Sequence, residues 1–318
     1  MKAAVVGLGV IGSVHMEVLE ALGNEVAAVC DTDPARLSAY PHIAGYTDYA
    51  EMLHAVRPDV VHICTPHHEH ARMVVEALKR DIHVLCEKPL CINAEEIEQV
   101  LAAERASKAL LGVCHQNRYN PANLYVKELI AGKQVTDGTG MVVWNRDKSY
   151  YEASPWRAKK ETAGGGVLIN QALHTLDLLQ WYAGEPRFVI ARASNLALDD
   201  IEVEDTLSAV FSGGADFTFF ATNCAAQGFP VEVTLRTKEH LIKLLPNAVL
   251  VDDEAISFEK DTRFYGKQCY GTGHERLFAD FYRCIREGKR FAIDGAEGAK
   301  VIRLILGAYA SNGKKVLC

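Results

Sequence analysis

Short apolar runs alternate with segments of helical period over the first third of the chain. The apolar, partly β-branched runs occupy residues 2–6, 25–30, 59–64, 82–86 and 110–114. The segments between them, such as residues 13–22 and 94–107, repeat apolar positions with helical spacing. Strands that are apolar throughout and alternate with helices are typical of a parallel sheet covered by helices on both faces. We therefore expect a doubly wound α/β domain over residues 1–119.

The pattern changes at Asn120, after which strand-like stretches follow one another with few helices between them. These stretches cover residues 139–146, 187–197, 203–212, 215–224, 230–237, 239–245 and 247–252. Because turn signals such as Gly213-Gly214 join several of them directly, this sheet should be large, open and mostly antiparallel. With helices expected near residues 274–287 and 295–311, we predict a second α/β domain over residues 120–318.

A glycine-rich turn joins the first predicted strand to the helix that follows it. The turn reads Gly7-Leu8-Gly9-Val10-Ile11-Gly12. Strand, G-x-G-x-x-G and helix form the dinucleotide-binding arrangement of a Rossmann domain, in which Gly7 permits the tight turn, Gly9 lets the backbone approach a pyrophosphate and Gly12 lets helix and strand pack closely. The N–H groups at the start of the helix, near Val10 and Ile11, then attract phosphate.

An acidic residue ends the second predicted strand. Asp31 lies about 20 residues after the glycines, where a carboxylate binds the ribose hydroxyls of the adenosine. The same carboxylate repels a 2′-phosphate, so we predict NAD as cofactor in preference to NADP. The alternative is that Asp31 only caps a turn before Asp33-Pro34.

The strand at residues 82–86 ends abruptly at Glu87-Lys88-Pro89. Ligands of open α/β sheets bind at the carboxyl ends of the strands. A lysine at such an end, next to a glutamate and followed by a proline, is well placed for chemistry. The alternative is a surface turn in which Glu87 and Lys88 are solvated.

Histidines and cysteines give no pattern that indicates a metal site. His67, His68 and His70 lack an acidic or distant fourth ligand, so we expect no metal, and His70 either caps a helix or lies near the cofactor. The nine cysteines are scattered and include no C-x-x-C pair. They favour a reducing cytoplasm over a disulfide framework.

Composition excludes several classes of partner. The formal net charge is −7 and no basic tail is present, so nothing favours nucleic acid. No segment reaches the roughly 18 consecutive apolar residues that a membrane span requires. The chain begins with a strand instead of a signal peptide, which also favours the cytoplasm.

A second glycine run, Gly164-Gly165-Gly166, precedes a predicted helix that carries Asn170 and His174. These two residues are four apart and share a helix face, although a histidine on such a helix is more often structural than catalytic. Polar and aromatic residues nearby in the sequence can stack on sugars or bind carboxylates, or simply pack. They are Asn117, Arg118, Tyr119, Arg146, Tyr150, Tyr151, Trp156 and Arg157.

Taken together, these motifs resemble the Gfo/Idh/MocA family, the group of glucose–fructose oxidoreductase and inositol dehydrogenase. The resemblance rests on Gly7-x-Gly9-x-x-Gly12, Val29-Cys30-Asp31-x-Asp33-Pro34, Cys64-Thr65-Pro66, Glu87-Lys88-Pro89, Gly164-Gly165-Gly166-Val167-Leu168 and His174-x-x-Asp177, in order over essentially the whole chain. It implies a Rossmann domain followed by a substrate-binding domain whose open sheet joins subunits, so a homodimer or homotetramer is expected.

The resemblance also implies roles for individual residues. It puts Lys88 in the active site, allows a cis Lys88-Pro89 bond and makes His174 the general base. Asn170 departs from the aspartate that is common in the dehydrogenases, and an amide cannot titrate. The expected cofactor contacts are Gly7, Gly9, Val10, Ile11, Gly12, Asp31, Thr65, Pro66, His70, Glu87, Lys88, Asn117, Trp156 and Arg157. The expected substrate contacts are Lys88, Arg118, Tyr119, Arg146, Tyr151, Asn170 and His174.

The predicted function is NAD-dependent oxidation of a secondary alcohol in a sugar, an inositol or a sugar derivative. His174 takes the hydroxyl proton and Lys88 stabilises the alkoxide. The alternative is a glycoside hydrolase of the same family, which oxidises C3 transiently, eliminates the C1 substituent, adds water and returns the hydride. It needs a further base, for which Tyr119, Tyr150, Tyr151 and His274 are candidates. A dinucleotide-sensing regulator is a third possibility, against which the presence of both Lys88 and His174 argues.

Overall fold

The computed structural model describes residues 1–246, 248–258, 265–266 and 271–318. The chain forms two compact units, of which the first contains Met1–Tyr119 and Asp261–Ala299 and the second Asn120–Lys260 and Lys300–Cys318. Both units therefore contain chain from beyond Asn120. This differs from the expected division into residues 1–119 and 120–318, because the chain returns to the first unit before it ends.

A six-stranded parallel sheet forms the centre of the first unit. Its strands are β1 (Lys2–Val6), β2 (Glu25–Cys30), β3 (Ala44–Tyr46), β4 (Val60–Ile63), β5 (His83–Cys86) and β6 (Leu111–Val113), in the order β3-β2-β1-β4-β5-β6. The helices between them are α1 (Val10–Ala21), α2 (Pro34–Leu37), α3 (Tyr49–Val56), α4 (His67–Leu78) and α5 (Ala94–Ala106). The strand order reverses between β1 and β4, where doubly wound sheets bind their ligands.

Local sequence explains how these elements begin and why they are buried. The strands β1, β4, β5 and β6 consist almost entirely of buried residues, as the uninterrupted apolar runs predicted. Asn93 caps α5 by accepting the Glu96 backbone N–H at 2.9 Å, and the Glu96 carboxylate accepts the Ile92 N–H at 2.9 Å. This reciprocal pair satisfies donors that would otherwise be unpaired at the helix start.

The second unit begins with short helices and continues with strands. After the 3₁₀ helix Gln116–Tyr119 of the first unit come α6 (Pro121–Leu129), β7 (Val135–Val143), α7 (Lys148–Glu152), a 3₁₀ helix (Pro155–Ala158), α8 (Lys160–Ala163), a π-helix (Leu168–Ala172) and α9 (Leu173–Ala183). The strands β8 (Phe188–Ser194), β9 (Thr206–Ser212), β10 (Phe217–Thr222), β11 (Glu232–Thr237), β12 (Leu241–Leu245), β13 (Ala248–Val251) and β14 (Glu254–Ile256) follow. The last elements are α10 (Gly273–Glu287), α11 (Gly295–Ser311) and β15 (Val316–Leu317).

The second sheet has nine strands in the order β14-β13-β12-β11-β7-β10-β9-β8-β15. Every pair is antiparallel except β7 with β10, so the predicted fold class is confirmed. Helix α9 covers one face closely, since a Cβ at Gly140 of β7 would lie 2.7 Å from the Leu179 side chain. Among the described residues, no helix lies between β8 and α10, which agrees with the change of pattern in the sequence.

The other face of this sheet exposes apolar side chains. Ile190 and Val210 are directly paired across β8 and β9, and Met141 and Phe220 across β7 and β10. All four are exposed in the single chain. Exposed apolar clusters of this kind are common at surfaces that contact another molecule. No helix within the described ranges is long and apolar enough to cross a membrane.

Candidate functional site

The glycine turn after β1 is shaped by its contacts with β4. Gly7 has φ +85°, and a Cβ there would lie 2.7 Å from the Cys64 carbonyl carbon. A Cβ at Gly12 would lie 2.0 Å from the Gly7 carbonyl oxygen. By contrast, the nearest atom to a Cβ at Gly9 is the Arg36 guanidinium at 3.7 Å. The fold itself thus requires Gly7 and Gly12, whereas the space beside Gly9 suits the close approach of a pyrophosphate.

Asp31 is held against this turn by backbone donors. Its Oδ2 accepts the Leu8 N–H at 2.7 Å, and its Oδ1 accepts the Asp33 N–H at 2.9 Å. The half-exposed Arg36 guanidinium lies 3.4 Å from Oδ2. Sequence reasoning did not single out Arg36, although its position five residues after Asp31 at the start of α2 was the available signal. Arg36 thus places a cation next to the Asp31 carboxylate.

His70 joins the loops at the carboxyl ends of β4 and β5. Its Nε2 lies 2.8 Å from the Thr65 carbonyl oxygen and its Nδ1 2.7 Å from the Pro89 carbonyl oxygen. Burial lowers the pKa of His70, while the two carbonyl groups act in the opposite direction. Since both ring nitrogens face protein carbonyls and the side chain is buried, His70 orients the loops of Thr65-Pro66 and Lys88-Pro89. The Lys88-Pro89 bond is cis, as the resemblance implied.

The Glu87 carboxylate is buried directly behind partly exposed Lys88. Glu87 Oε1 lies 3.0 Å from His15 Nε2, and Oε2 accepts the Lys88 backbone N–H at 3.2 Å. His274 Nε2 lies 3.8 Å from Oε1, which is longer than a hydrogen bond. Burial would raise the pKa of Glu87, but the His15 donor and the nearby His274 ring hold that pKa well below its usual value. Glu87 is therefore an ionised, buried carboxylate.

Two predicted substrate contacts of the first unit have partners inside that unit. Arg118 is buried, and its Nη1 forms an ion pair with Glu297 at 2.7 Å. The Tyr119 hydroxyl donates to Asp280 at 2.7 Å, and its ring stacks on Phe291. Both side chains thus fix the 3₁₀ helix Gln116–Tyr119, to which Asn117 also belongs. Their direct role in substrate binding stays a prediction.

A large cavity of the first unit lies away from all these residues. Its volume is about 720 Å³, and Asp59, His83 and Ile285 are among the residues that line it. Asp59 and His83 are at the amino-terminal ends of β4 and β5, opposite to the ends where ligands of such sheets bind. None of the predicted site residues lines this cavity.

Two arginines of the second unit stack on one tyrosine. The Arg146 guanidinium lies 5.3 Å from the centre of the Tyr150 ring, and the Arg157 guanidinium lies 5.0 Å from it. The two guanidiniums also lie 4.9 Å from the Trp144 ring and 5.1 Å from the Trp156 ring, respectively. Neither arginine forms an ion pair with an acidic residue of the described chain. We refer to Trp144, Arg146, Tyr150, Trp156 and Arg157 as the arginine–aromatic cluster.

Tyr151, the neighbour of that cluster, lies in the core, and its contact with a substrate stays a prediction. Its side chain is buried, and its hydroxyl accepts a hydrogen bond from Asn223 at 3.2 Å. The Tyr150 hydroxyl in turn accepts a hydrogen bond from Gln171 at 3.0 Å. Because adjacent residues of a helix point in different directions, Tyr150 faces the two arginines while Tyr151 packs inward. The sequence could not distinguish the two adjacent tyrosines.

The glycine run before the π-helix is anchored by a buried glutamate. The Glu204 carboxylate accepts the Gly166 N–H at 2.7 Å, the Leu168 N–H at 3.0 Å and the Tyr309 hydroxyl at 2.9 Å. A Cβ at Gly166 would lie 1.9 Å from the Glu204 carbonyl oxygen. Burial raises the pKa of Glu204 despite these hydrogen bonds. The lack of a side chain at Gly166 therefore allows the close approach of the Glu204 backbone.

Asn170 and His174 emerge from the segment that Glu204 holds. From residue 165 to residue 180 they are the two residues that are not buried. Asn170 lies in the π-helix and His174 in the first turn of α9, so the α-helical spacing that predicted a shared face does not strictly apply. Single π-helical turns within helices are frequent at functional sites. The exposure of these two polar side chains makes them the candidate substrate contacts of the helix.

Two family models match the chain. Residues 1–115 match the model of the oxidoreductase family with an NAD-binding Rossmann fold, GFO_IDH_MocA, and residues 124–240 match that of the GFO/IDH/MocA C-terminal domain. Inositol 2-dehydrogenase of Salmonella typhimurium is 25% identical to this chain over 91% of its length and 87% of the relative's.

Solved structures of the same fold cover the whole chain. The WlbA dehydrogenase from Bordetella pertussis, in complex with NADH and UDP-GlcNAcA, is 26% identical with a TM-score of 0.88, over 100% of this chain and 98% of that one. The myo-inositol 2-dehydrogenase from Lactobacillus plantarum is 22% identical with a TM-score of 0.85, over 100% and 99% of the two chains. The latter similarity is one of fold.

Proposed function

Since the chain belongs to the Gfo/Idh/MocA family of oxidoreductases, we propose that it is an NAD-dependent enzyme that oxidises a secondary alcohol of a sugar, an inositol or a sugar derivative. One observation carries the proposal. Partly exposed Lys88 follows a strand of the NAD-binding domain and has an ionised carboxylate, Glu87, fixed behind its backbone. In a solvated surface turn the Glu87 carboxylate would stay in water, because burying a charge is costly.

The chain supplies binding and proton transfer for this reaction. The turn at Gly9 receives the pyrophosphate, and Asp31 accepts hydrogen bonds from the adenosine ribose. When bound, NAD supplies the acceptor for the hydride of the substrate. His174 accepts the proton of the substrate hydroxyl, and the Lys88 ammonium stabilises the negative charge that develops on that oxygen. Asn170 donates or accepts hydrogen bonds to a neighbouring hydroxyl without changing its charge.

The proposed preference for NAD over NADP rests on Asp31. Its buried carboxylate disfavours a 2′-phosphate, whereas Arg36 beside it attracts one. Because Asp31 is fixed by two backbone N–H groups and Arg36 is half exposed, the carboxylate dominates. The preference for NAD over NADP should therefore be clear, but Arg36 should limit its size.

The arginine–aromatic cluster favours a substrate that carries an acidic group. Two guanidiniums without acidic partners in a chain of net charge −7 are suited to a carboxylate or a phosphate, and the rings beside them to a sugar face. The similarity to the WlbA dehydrogenase structure, which contains UDP-GlcNAcA, supports the same class. A uronic acid or a nucleotide sugar is thus the member of the substrate class that we favour.

The open sheet supports a homo-oligomer. The row of Ile190, Val210, Met141 and Phe220 is apolar enough to bind a second copy of itself across a two-fold axis. Light scattering on the purified chain should give a dimer or tetramer, and Val210→Asp should shift it to the monomer. The scattered cysteines support a reducing compartment, so we propose the cytoplasm as the site of action.

A paired assay tests the proposed reaction. Purified protein and NAD are incubated with free sugars, inositols, uronic acids, nucleotide sugars and aryl glycosides, while reduced nicotinamide and released aglycone are followed in the same sample. We expect reduced nicotinamide to accumulate with one of the first four groups. Release of aglycone without net reduction of NAD would instead identify the glycoside hydrolase. Binding of NAD with no turnover of any compound would favour a regulatory protein.

A further inference from the structure

A buried series of hydrogen bonds in the first unit ends at Glu87, and the proposed reaction assigns no step to its two histidines or its tyrosine. Tyr282 Oη lies 2.9 Å from His62 Nε2, His62 Nδ1 lies 3.0 Å from His15 Nδ1, and His15 Nε2 lies 3.0 Å from Glu87 Oε1. All four side chains are buried. The chain thus links α10, β4 and α1 to the residue before Lys88.

The positions of the protons in this chain follow from the charge of Glu87. An ionised carboxylate only accepts, so His15 Nε2 carries the proton that it shares with Glu87. In a neutral imidazole the Nδ1 of His15 is then the acceptor, and His62 must donate from its own Nδ1. His62 Nε2 is left as the acceptor for the Tyr282 hydroxyl. The O–H and N–H groups of these three hydrogen bonds therefore all point towards the Glu87 carboxylate.

The surroundings keep both histidines uncharged. Burial is the largest cause that lowers the pKa of His15, and it lowers the pKa of His62 still further. Burial also raises the pKa values of the neighbouring thiols of Cys64, Cys86 and Cys114 well above their usual range, so these groups stay protonated. Among the described residues, the titratable groups around Glu87 are His15 on α1, His62 on β4, Cys64 after β4, His70 on α4, Cys86 on β5, the adjacent Lys88, Cys114 after β6 and His274 on α10.

A metal ion is the competing interpretation of this cluster. His15, Glu87 and Cys114 offer ligand-type atoms that all lie within 4.8 Å of one another. However, His15 Nε2 and Glu87 Oε1 are at the distance of a direct hydrogen bond, and a proton between them accounts for that contact. The second nitrogen of His15 is equally engaged with His62. The hydrogen-bonded interpretation uses every ring nitrogen of the two histidines.

We propose that Tyr282, His62 and His15 are positioning residues that deliver aligned hydrogen bonds to Glu87 and fix an ionised carboxylate against the Lys88 backbone. The importance of this network for turnover rests on the proposed function, but the order of its protons does not. The last link is the Lys88 N–H, which donates to the second carboxylate oxygen at 3.2 Å. Loss of the His15 Nε2–H donor would leave the Glu87 carboxylate free to rotate or to bind a proton. The Lys88 backbone N–H would then lose its hydrogen-bond acceptor.

Nitrogen spectroscopy of the histidine rings tests the proton order directly. In the full-length protein labelled with ¹⁵N-histidine, we expect His15 to carry its proton on Nε2 and His62 on Nδ1 at neutral pH, with resonances assigned from His15→Gln and His62→Gln. A His15 that is protonated on Nδ1, or on both nitrogens, would overturn the proposal. A change of these signals to those of a bound metal on addition of Zn²⁺ to the wild type would do the same.

A double-mutant cycle tests whether the network acts through Glu87. His15→Ala should lower kcat about tenfold while changing the Kd for NADH by less than about twofold. His15→Gln retains an N–H donor near the position of Nε2 and should recover most of the loss. In the Glu87→Gln background, His15→Ala should cost less than about twofold. An undiminished loss in that background would show that His15 is merely structural.

Two further variants keep the test informative. Tyr282→Phe removes the donor farthest from Glu87 with little change of shape, so it should fold even where His15→Ala does not and should lower kcat a few-fold. His83→Ala is the matched control, because His83 lies at the other end of β5 and its Nδ1 accepts the Leu110 N–H. If the chain oxidises no substrate, the proposed function fails, whereas the proton order of the wild type still decides the positioning proposal.

Discussion

Two buried glutamates, one in each unit, lie next to the candidate active residues but respond to burial in opposite ways. Glu87 precedes Lys88, and its pKa is held well below the usual range. Glu204 anchors the turn before Asn170 and His174, and its pKa is raised. Burial is the largest single cause acting on both carboxyl groups, and it raises the pKa of each. The difference therefore arises from their hydrogen-bond donors.

Glu87 accepts from a histidine ring and from one backbone N–H, whereas Glu204 accepts from two backbone N–H groups and a phenol. His15, itself oriented by His62, shares a proton with Glu87, and His274 lies nearby. Glu204 receives two backbone N–H groups and the Tyr309 hydroxyl, which do not outweigh its desolvation. The comparison teaches that burial alone does not decide the charge of a carboxyl group. Glu87 provides a fixed negative charge next to Lys88, while Glu204 fixes the backbone conformation of the glycine run.

The largest expected effect comes from removing the groups that the two glutamates support. Lys88→Ala and His174→Ala should each lower kcat by about 100- to 1000-fold, because each removes a group that acts in the transition state. Isothermal titration should show NAD binding within a few-fold of the wild type. Lys79→Ala, at an exposed lysine after α4, is the control. Turnover near the wild-type rate in Lys88→Ala would refute the assignment of this residue.

The comparison itself is sharpened by replacing both glutamates with the neutral isostere. Glu87→Gln removes the charge next to Lys88 and should lower kcat about tenfold or more. Glu204→Gln keeps one of the two acceptor oxygens and removes no charge next to Lys88, so it should change kcat less than about threefold. Glu204→Ala leaves two buried N–H groups unsatisfied and should lower the free energy of unfolding by about 2–4 kcal/mol. Urea titrations and initial rates measure the two quantities. Equal losses of kcat in the two glutamine variants would contradict the distinction between charge and shape.

The pH dependence of stability should also separate the two centres. The folded-state pKa values of His15 and His62 are lowered from 6.5, so their contribution to stability is present above that pH and is lost as the pH falls below it. The pKa of Glu204 is raised, so its contribution to the free energy of unfolding changes with pH in the opposite direction. That contribution is present below pH 4.5 and is lost as the pH rises above this value. We expect the melting temperature of the wild type to fall between pH 7 and pH 5, and His62→Gln to reduce that fall. A fall that is identical in the two proteins would show that His62 does not titrate in this way.

The smallest effect lies outside both centres, at the adenosine end of the cofactor site. Arg36→Ala should increase the preference for NAD over NADP a few-fold, because it removes the cation beside Asp31. Asp31→Ala should reduce that preference for the opposite reason. The ratio of kcat/KM for the two cofactors measures both effects. A wild type that uses the two cofactors equally would contradict the predicted role of Asp31.

Features that are encoded locally could be predicted from the sequence. The parallel sheet follows from uninterrupted apolar runs, and the dinucleotide turn follows from three glycines whose spacing fits a strand followed by a helix. The family assignment based on these motifs is confirmed by the two matching family models. The mostly antiparallel character of the second sheet was also predictable, because strands joined by short turns pair antiparallel, whereas its nine described strands and the parallel pair β7–β10 were not predicted.

The Glu87 centre could not be predicted because its parts are distant in sequence. His15 and Glu87 are 72 residues apart, and His62 and Tyr282 are 220 residues apart. His62 is the single polar residue of an apolar strand and His15 lies between two apolar residues of α1, so neither position gives a sign of its partner. Similarly, an aromatic pair such as Tyr150-Tyr151 does not reveal which ring is buried. Only the fold brings Arg118 to Glu297 and Glu204 to the glycine run.

The transfer of the substrate hydrogen tests the central claim most directly. The fastest substrate of the panel is prepared with deuterium on the carbon of the oxidised alcohol, and the nicotinamide is analysed by mass spectrometry after turnover. The account predicts one deuterium in each reduced cofactor, in amounts equal to the ketone formed, and a slower rate if hydride transfer limits turnover. Deuterium that remains in the product, with the cofactor still oxidised, would contradict net oxidation of the substrate.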